Sequence, residues 1–276
     1  MTAARNQAAG GAKRGGMTPV PKLREAAQKI VSYLEFGGPV HLRRCLSGAF
    51  VDDIIALQQA LAAEKKATTG YPPEPFDWYC EPSWCTDLLL AAEEFEGEIV
   101  DPACGRGAIL ASALAAGFKV RGYDLVDRME HRLADFPFEA WSFFDERHPL
   151  AECDNIICNS PYSYQKGIAE VFIRHALTIA RRKVAMLLPE KFRSSNGRHE
   201  LFTSTPLARI YTLSSRPSMP PGSLLTACKI KSSGGKVDYA WFIWDKAHTG
   251  PATNHYLIRP EKKAAQLRKE GSRVDG

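Results

Sequence analysis

Apolar residues recur at helical spacing in two segments near the start of the chain. The first pattern begins at Leu23 and is stopped by the pair Gly37-Gly38. The second begins near Asp52 or Asp53, either of which can cap a helix, and continues to Leu61. The pattern predicts a small helical segment over residues 22–66. It either packs against the rest of the protein or forms a helix-turn-helix that reads nucleic acid.

The regions around this helical segment differ in composition. Residues 1–21 are rich in Ala, Gly and basic residues, which predicts a disordered basic tail. Residues 67–76 contain three prolines and a glycine within Thr68–Pro75 and are interpreted as a linker. The main domain is expected over 77–250, followed by a charged C-terminal tail at 251–276.

After the linker, short apolar runs alternate with segments of helical period. The predicted strands are Glu98–Asp101, Phe118–Tyr123, Asp154–Cys158, Lys183–Leu188, Arg209–Leu213 and Val237–Trp244. The predicted helices are Ala108–Ala116, Ile168–Ala180 and Arg198–Leu207. Such alternation is typical of an α/β fold with a doubly wound, mostly parallel sheet. Ligands bind such sheets at the carboxyl ends of the strands.

Composition is ordinary for a globular protein: 45% of the 276 residues are apolar and 24% are charged. No apolar run is long enough to span a bilayer, and residues 1–16 lack the apolar core of a secretory signal. We therefore expect a cytoplasmic protein with no membrane contact. Seven cysteines, an odd number, argue against a secreted disulfide framework. Their C-x4-C spacings favour buried thiols over zinc, so no metal is expected.

Charge is distributed unevenly. Residues 81–155 contain 16 acidic and 6 basic residues, whereas residues 181–236 contain 11 basic and 2 acidic residues. An acidic half suits a cationic or hydroxyl-rich ligand, and a basic half suits a polyanion. Such a bias also arises on ordinary solvated surface, so charge alone names no substrate.

A glycine loop, Asp101–Gly107 (DPACGRG), follows the first strand of the main domain. Glycines there let the backbone approach a ligand, and the next helix presents its positive N-terminus to it. Leu110 occupies the place of the third glycine of the dinucleotide fingerprint, which counts against a nicotinamide or flavin enzyme. Asp124 ends the following strand and can accept the hydroxyls of a ribose, although a simple turn-forming role also fits.

A second motif, Asn159-Ser160-Pro161-Tyr162, directly follows the strand that ends at Cys158. Alone, this tetrapeptide is typical of a turn. Its position at the carboxyl end of a strand, downstream of the glycine loop, favours a reactive site.

With these motifs the chain resembles the class I methyltransferases that use S-adenosylmethionine, and among them the DNA adenine-N6 methyltransferases. DPACGRG, the acid-ended strand and NSPY carry the resemblance, together with the segment Tyr79–Leu90 before the glycine loop. The motif order is similar to the arrangement called gamma, and the late segments Val184–Phe192 and Asp238–Asp245 resemble small stand-alone or phage-type members. The resemblance covers about residues 77–246. It implies a Rossmann-like methyltransferase domain, here with a small N-terminal helical appendage.

The resemblance also implies a role for each matching residue. Its catalytic residues are Asn159, Ser160, Pro161 and Tyr162. The S-adenosylmethionine site comprises Pro82, Trp84, Asp101, Pro102, Ala103, Cys104, Gly105, Gly107, Asp124, Leu125, Phe144 and Asp145. In this scheme the loop holds the amino-acid part of the cofactor and Asp124 its ribose. Phe144 and Asp145 contact the adenine, and Pro82 and Trp84 close the methionine end.

Two residues depart from the family pattern. Ser160 stands where the tetrapeptide usually has proline, which affects the rigidity of this loop, and Glu81 stands where the earlier motif usually has threonine. The glutamate weakens the assignment of residues 79–84.

The basic segment 181–236 is expected to contact DNA phosphates, which give affinity without sequence information. The residues expected to bind substrate are Lys191, Arg193, Arg198, Arg216, Lys229 and Lys231. The loop 216–236 is too short for an elaborate base-reading domain, so a short or relaxed recognition sequence is expected. Cytosine N4, adenine in RNA, release-factor glutamine and a non-catalytic nucleic-acid-binding protein remain as alternatives.

Overall fold

The computed structural model describes residues 74–128, 132–145, 150, 152–162, 167–226 and 235–259. The predicted basic tail 1–21, the helical segment 22–66 and most of the linker 67–76 therefore lie outside the described residues. Lys229, Lys231 and the last part of the predicted C-terminal tail also lie outside them.

The described chain is built around one eight-stranded sheet with the strand order β3-β2-β1-β4-β5-β7-β6-β8. The strands are β1 Ile99–Asp101, β2 Val120–Asp124, β3 Phe138–Ala140, β4 Cys153–Cys158, β5 Ala180–Pro189, β6 Leu207–Leu213, β7 Tyr239–Asp245 and β8 Thr253–Leu257. Every pairing is parallel except those of β7, which runs antiparallel to both β5 and β6. This confirms the predicted α/β, Rossmann-like fold with a mostly parallel sheet.

Helices cover both faces of this sheet. They are α1 Trp84–Ala92, α2 Ala108–Ala115, α3 Ile168–Ile179, α4 His199–Ser204 and α5 Gly222–Thr226. Apolar residues of α1 and α2 belong to one core cluster, and those of α3 belong to the cluster on the other face. Strand β7 alternates between the two clusters: Trp241 and Ile243 lie in the first, and Phe242 and Trp244 in the second. All four are fully buried, so β7 joins the two halves of the core.

Several elements differ from the sequence prediction, which included neither α1 nor α5. β8 lies in the predicted tail 251–276, and its first four residues are exposed, which is why no apolar pattern marked it. β3 is only three residues long and was not predicted. The predicted helix over 198–207 is shorter: the 3-10 turn Asn196–Arg198 leads into α4, and Leu207 already belongs to β6.

Part of the predicted basic segment 181–236 lies at the amino ends of the strands. Arg181 and Arg182 are the second and third residues of β5. Arg181 pairs with Asp154 at 2.8 Å, and Arg182 pairs with Glu96 at 2.7 Å. Arg209 and Lys183 both pair with Glu93, which is 3% exposed, at 2.6 Å. The prediction that the whole segment faces the substrate is therefore wrong for these residues, because they neutralise acidic groups at the opposite edge of the sheet.

Candidate active site

A cleft opens at the carboxyl edge of the sheet, which we define as the edge where β1, β2, β4 and β5 end. The space between its walls is about 1170 Å³, a figure that includes open solvent at its mouth. The glycine loop, residues 142–144 after β3, Asn159 after β4 and residues 76–82 all line it. The two motifs found in the sequence therefore meet in one cavity.

The glycine loop is held in a backbone conformation that only glycine adopts readily. Gly105 has φ +53° and Gly107, where α2 begins, has φ +78°. Asp101 accepts a hydrogen bond from the Ala103 N–H at 3.1 Å. Asp124 accepts one from the Gly105 N–H at 2.7 Å. The acids that end β1 and β2 therefore shape the loop directly. Gly107 supports the loop without lining the cleft.

Asp124 is already strongly engaged. Besides Gly105, its carboxylate accepts the Val126 N–H at 3.0 Å and pairs with the Arg128 guanidinium at 2.6 Å. These bonds use three of the roughly four lone-pair positions of a carboxylate. Arg128 lies 4.2 Å from the Trp78 ring centroid, and both residues line the cleft. A ligand that donates two hydrogen bonds to Asp124 must therefore displace one of these three donors, and Arg128 is the only side chain among them.

Aromatic side chains form one end of the cleft. Phe143, Phe144 and Phe172 line it together with the exposed Leu125 and Leu133. The rings of Phe143 and Phe172 lie 4.5 Å apart. A flat heterocycle fits such a surface because aromatic pairs prefer offset or edge-to-face packing. Phe144 thus lines the cleft, and its contact with a cofactor adenine stays a prediction, whereas Asp145 is buried without lining the cleft.

The segment Glu74–Pro82, here called the cover segment, forms another wall. It hydrogen-bonds to the loop before α5 through Cys80 N–H to Pro220 O at 2.9 Å and Gly222 N–H to Trp78 O at 2.9 Å. On its other side, the Asp77 carboxylate accepts the Tyr162 N–H at 2.9 Å. Phe76 and Asp77 have φ +53° and +55°, a conformation that costs non-glycine residues roughly 1–3 kcal/mol. These contacts hold the strained segment in place.

Asn159 lies directly after β4, and its side-chain amide is fixed by the cover segment. Its Nδ2 donates to the Tyr79 carbonyl at 3.0 Å and to Glu81 Oε2 at 2.8 Å. A carbonyl can only accept, so the nitrogen must face Tyr79 and the oxygen must point elsewhere. Asn159 Oδ1 is buried and has no hydrogen-bond partner within the described residues. An acceptor in this state is suited to a ligand N–H.

The rest of the tetrapeptide is more enclosed. Pro161 lines the cleft, and Ser160 is buried with no hydrogen-bond partner for its hydroxyl in the described part of the chain. The Tyr162 and Tyr239 hydroxyls hydrogen-bond at 2.7 Å, which fixes the Tyr162 ring beside the site. Tyr162 is not among the residues that line the cleft, so stacking of a base on it stays a prediction.

Two carboxyl groups in the cleft have raised pKa values. Burial raises the pKa of Glu81 to about 7, although the hydrogen bond from Asn159 lowers it. Burial also raises the pKa of Asp101 well above its usual range, against hydrogen bonds from Cys158 and Ala103. A cation bound in the cleft would favour the ionised form of both groups.

Several predicted site residues take other places. Trp84, the first residue of α1, packs against the core and does not line the cleft. The Arg259 guanidinium lies 5.0 Å from its ring centroid. Of that predicted pair, only Pro82 reaches the cavity. Among the cleft residues that the sequence prediction missed are Phe76–Cys80, Glu81, Arg128, Phe143 and Phe172. Only the unexpected glutamate at 81 signalled any of them in advance.

The remaining predicted substrate residues lie towards the carboxyl edge. Lys191 lies two residues after the end of β5 and is exposed. Lys236, another lysine of the basic segment, lies three residues before β7 begins and is also exposed. These two positions are neighbours because Pro189 pairs with Tyr239. Arg193 and Arg216 are exposed but pair with Glu190 at 2.6 Å and Asp238 at 2.7 Å. Arg198 donates to the Phe192 carbonyl at 2.7 Å.

Similarity to known proteins is limited to solved structures, because neither a protein-family profile nor a curated protein matches the chain. A structure from Listeria monocytogenes, described as a class I S-adenosylmethionine-dependent methyltransferase, is 13% identical with a TM-score of 0.47 over 82% of this chain and 79% of that one. An RNA methyltransferase from Pyrococcus horikoshii is 16% identical, with a TM-score of 0.45 over 59% and 82%. Magnesium protoporphyrin IX methyltransferase from Synechocystis, solved with S-adenosylmethionine bound, is 15% identical. Its TM-score is 0.38, over 78% of this chain and 96% of that one. The chemistry of the site is therefore inferred from the cleft's own residues.

Membrane-spanning helices and metal-binding clusters are both absent from the described residues. None of the helices there is long and apolar enough to cross a bilayer. No group of three or more His, Cys, Asp or Glu side chains in that part of the chain is arranged to hold a metal ion.

Proposed function

We propose that this protein transfers a methyl group from S-adenosylmethionine to an exocyclic amine of a nucleic-acid base, and that the amine is N6 of adenine in DNA. The observation that carries the proposal is the buried, unpartnered Oδ1 of Asn159 in the cleft beside the glycine loop. An amine with its lone pair delocalised into a ring is a poor nucleophile. A fixed acceptor on its N–H favours the positive charge that develops as the nitrogen attacks.

The cleft's own residues fit this cofactor. S-adenosylmethionine supplies an activated methyl group on a positively charged sulfur. The carboxyls of Asp101 and Glu81, when ionised, suit such a cation. The backbone of the glycine loop and Asp101 would hold its amino-acid part, and Asp124 its ribose. Phe143, Phe144 and Phe172 would enclose its adenine. The residues expected to hold it thus all line the same cleft.

DNA fits the positive charge at the carboxyl edge of the sheet, the edge at which the cleft opens. Lys191 and Lys236 are exposed on neighbouring turns, and Arg193, Arg198 and Arg216 lie on the same or adjoining segments. Cations placed beside an active site can hold phosphates while a base is extruded into it. Extrusion costs a few kcal/mol, and aromatic contact with the base can offset much of that.

The salt dependence of DNA binding tests this surface. Each phosphate contact adds about 0.9 to the steepness of log affinity against log salt. We expect the double variant Lys191→Ala/Lys236→Ala to lower that slope by about 1.8 relative to the wild-type protein. Lys119→Ala is the matched control, because Lys119 is also exposed but precedes β2 at the opposite edge of the sheet. A fluorescence-anisotropy titration at several salt concentrations gives the slope, and equal slopes for all three proteins would contradict the assignment.

Identification of the product tests the reaction itself. The protein is incubated with methyl-labelled S-adenosylmethionine and unmethylated genomic DNA, and the digested nucleosides are analysed by mass spectrometry. N6-methyladenine is expected. N4-methylcytosine would keep the mechanism and change the base, and label in RNA or in a protein glutamine would change the substrate class. Absence of any labelled product would favour a non-catalytic binding protein.

A further inference from the structure

We propose that Glu81 is a catalytic residue of this site, which accepts the proton that the substrate amine must lose when it is methylated. The inference rests on the proposed function and deepens it. Glu81 and Asn159 line the same cleft, and Glu81 Oε2 lies 2.8 Å from Asn159 Nδ2. An amine held on Asn159 Oδ1 is therefore bound to a side chain that the Glu81 carboxylate already touches.

The proton balance of the reaction calls for such a group. The new N–C bond forms from the nitrogen lone pair while the C–S bond of the methyl donor breaks, and its electron pair stays on sulfur. The amine nitrogen is then positively charged and carries one proton more than the neutral product. The ionised carboxylate of Glu81 takes this proton, the N–H electron pair returns to the nitrogen, and the carboxylic acid later loses the proton to water.

The surroundings of Glu81 suit a group that exchanges protons near neutral pH. Burial holds the pKa of its carboxyl at about 7, near the operating pH at which a general base is most effective. Other titratable groups approach it from the cover segment, α1, β1 and β4: Cys80, Cys85, Asp101 and Cys158. Arg106 and Arg128 act on Cys80 from the glycine loop and from the turn after β2, and Arg259 acts on Cys85. A methyl donor with a positive charge favours ionised Glu81 before transfer. Loss of that charge from sulfur then makes the carboxylate a better proton acceptor.

Glu81→Gln separates proton transfer from simple positioning. Glutamine has nearly the same shape, and its Oε1 can still accept the hydrogen bond from Asn159 Nδ2, but it cannot take a proton. We expect kcat to fall roughly 100-fold. The affinity for S-adenosylmethionine and the KM for DNA should stay within about threefold. The wild-type kcat should decrease on the acidic side of about pH 7, and this limb should be missing from the variant. Glu200→Gln, an exposed glutamate of α4, is the matched control.

A second readout needs no turnover. In an infrared titration of the protein without ligands, a carboxyl band that titrates near pH 7 is expected in the wild type and in Glu200→Gln, but not in Glu81→Gln. If the wild-type protein turns over and Glu81→Gln has the same kcat and the same pH profile, the role of Glu81 is overturned and the proposed function stands. The same conclusion follows if no band is lost in the variant. A wild-type protein that methylates no amine would instead overturn the proposed function, and the role of Glu81 with it.

Discussion

Asn159→Ala is expected to lower kcat for methyl transfer roughly 100- to 1,000-fold, the range seen when one preorganised polar group is removed from a transition-state site. Its Oδ1 is the buried acceptor that would bind the attacking amine, and alanine leaves nothing there. Single-turnover assays with labelled S-adenosylmethionine measure the effect on the chemical step. Calorimetric titration with the cofactor should give an affinity within a few fold of the wild type, because Asn159 acts on the substrate.

Asn196→Ala is the matched control for this substitution. Asn196 is exposed in the turn before α4, so the same change there should leave both turnover and cofactor affinity unaltered. If Asn159→Ala turned over at the wild-type rate, the assignment of the tetrapeptide to catalysis would be wrong. A loss of cofactor affinity as large as the loss of kcat would instead show that Asn159 acts chiefly by holding the cover segment through Tyr79 and Glu81.

Asp124→Ala should weaken S-adenosylmethionine binding by about 100-fold. A hydrogen bond to a charged group contributes about 1.5–3 kcal/mol, which is roughly 10- to 160-fold in affinity, and this substitution removes one such bond to the cofactor together with one that shapes its site. One would be made to the ribose, and the other is the bond from the Gly105 N–H at 2.7 Å that shapes the glycine loop. Isothermal titration calorimetry with the cofactor and with its demethylated product measures the loss.

Two further variants keep this result interpretable. Asp127→Ala makes the same change at an exposed position three residues away and should bind normally. In Asp124→Ala the buried Arg128 loses its acidic partner, which by itself can destabilise the fold. The double variant Asp124→Ala/Arg128→Ala removes that unpaired charge and should still bind about 100-fold more weakly. Normal cofactor affinity in either folded variant would exclude Asp124 from the site.

The fold was predictable wherever strands are buried on both faces. Ile99–Asp101 and Cys153–Cys158 carry short apolar runs, Ile99-Val100 and Ile156–Cys158, because both faces of these strands pack against helices. Thr253–Leu257 gave no such signal, because an edge strand with exposed side chains can be almost entirely polar. Its pairing with β6 depends on main-chain hydrogen bonds, which any sequence can make.

In the candidate site, the residues that sequence motifs revealed are those whose backbone or position within the fold is constrained. The glycine loop and the acids that end β1 and β2 belong to this group. The cover segment escaped prediction because its contacts join Tyr79 to Asn159, 80 positions later, and Trp78 to Gly222, which is still further along the chain. Such pairings have no local pattern. Trp84 was misplaced for the converse reason, since a helical tryptophan can face the core or a ligand with the same sequence around it.

During synthesis, β5 and β6 leave the ribosome before the strand that joins them. β7 begins only at Tyr239, and at 5–20 residues per second the interval after Leu213 lasts roughly 1–5 seconds. Throughout that time the facing edges of β5 and β6 present unpaired N–H and C=O groups, and the apolar side chains destined to contact Trp241 and Trp244 stay in water. The nascent chain therefore already contains Glu81, the glycine loop and Asn159, yet it cannot close its sheet. Chaperone dependence and aggregation should be concentrated in this interval.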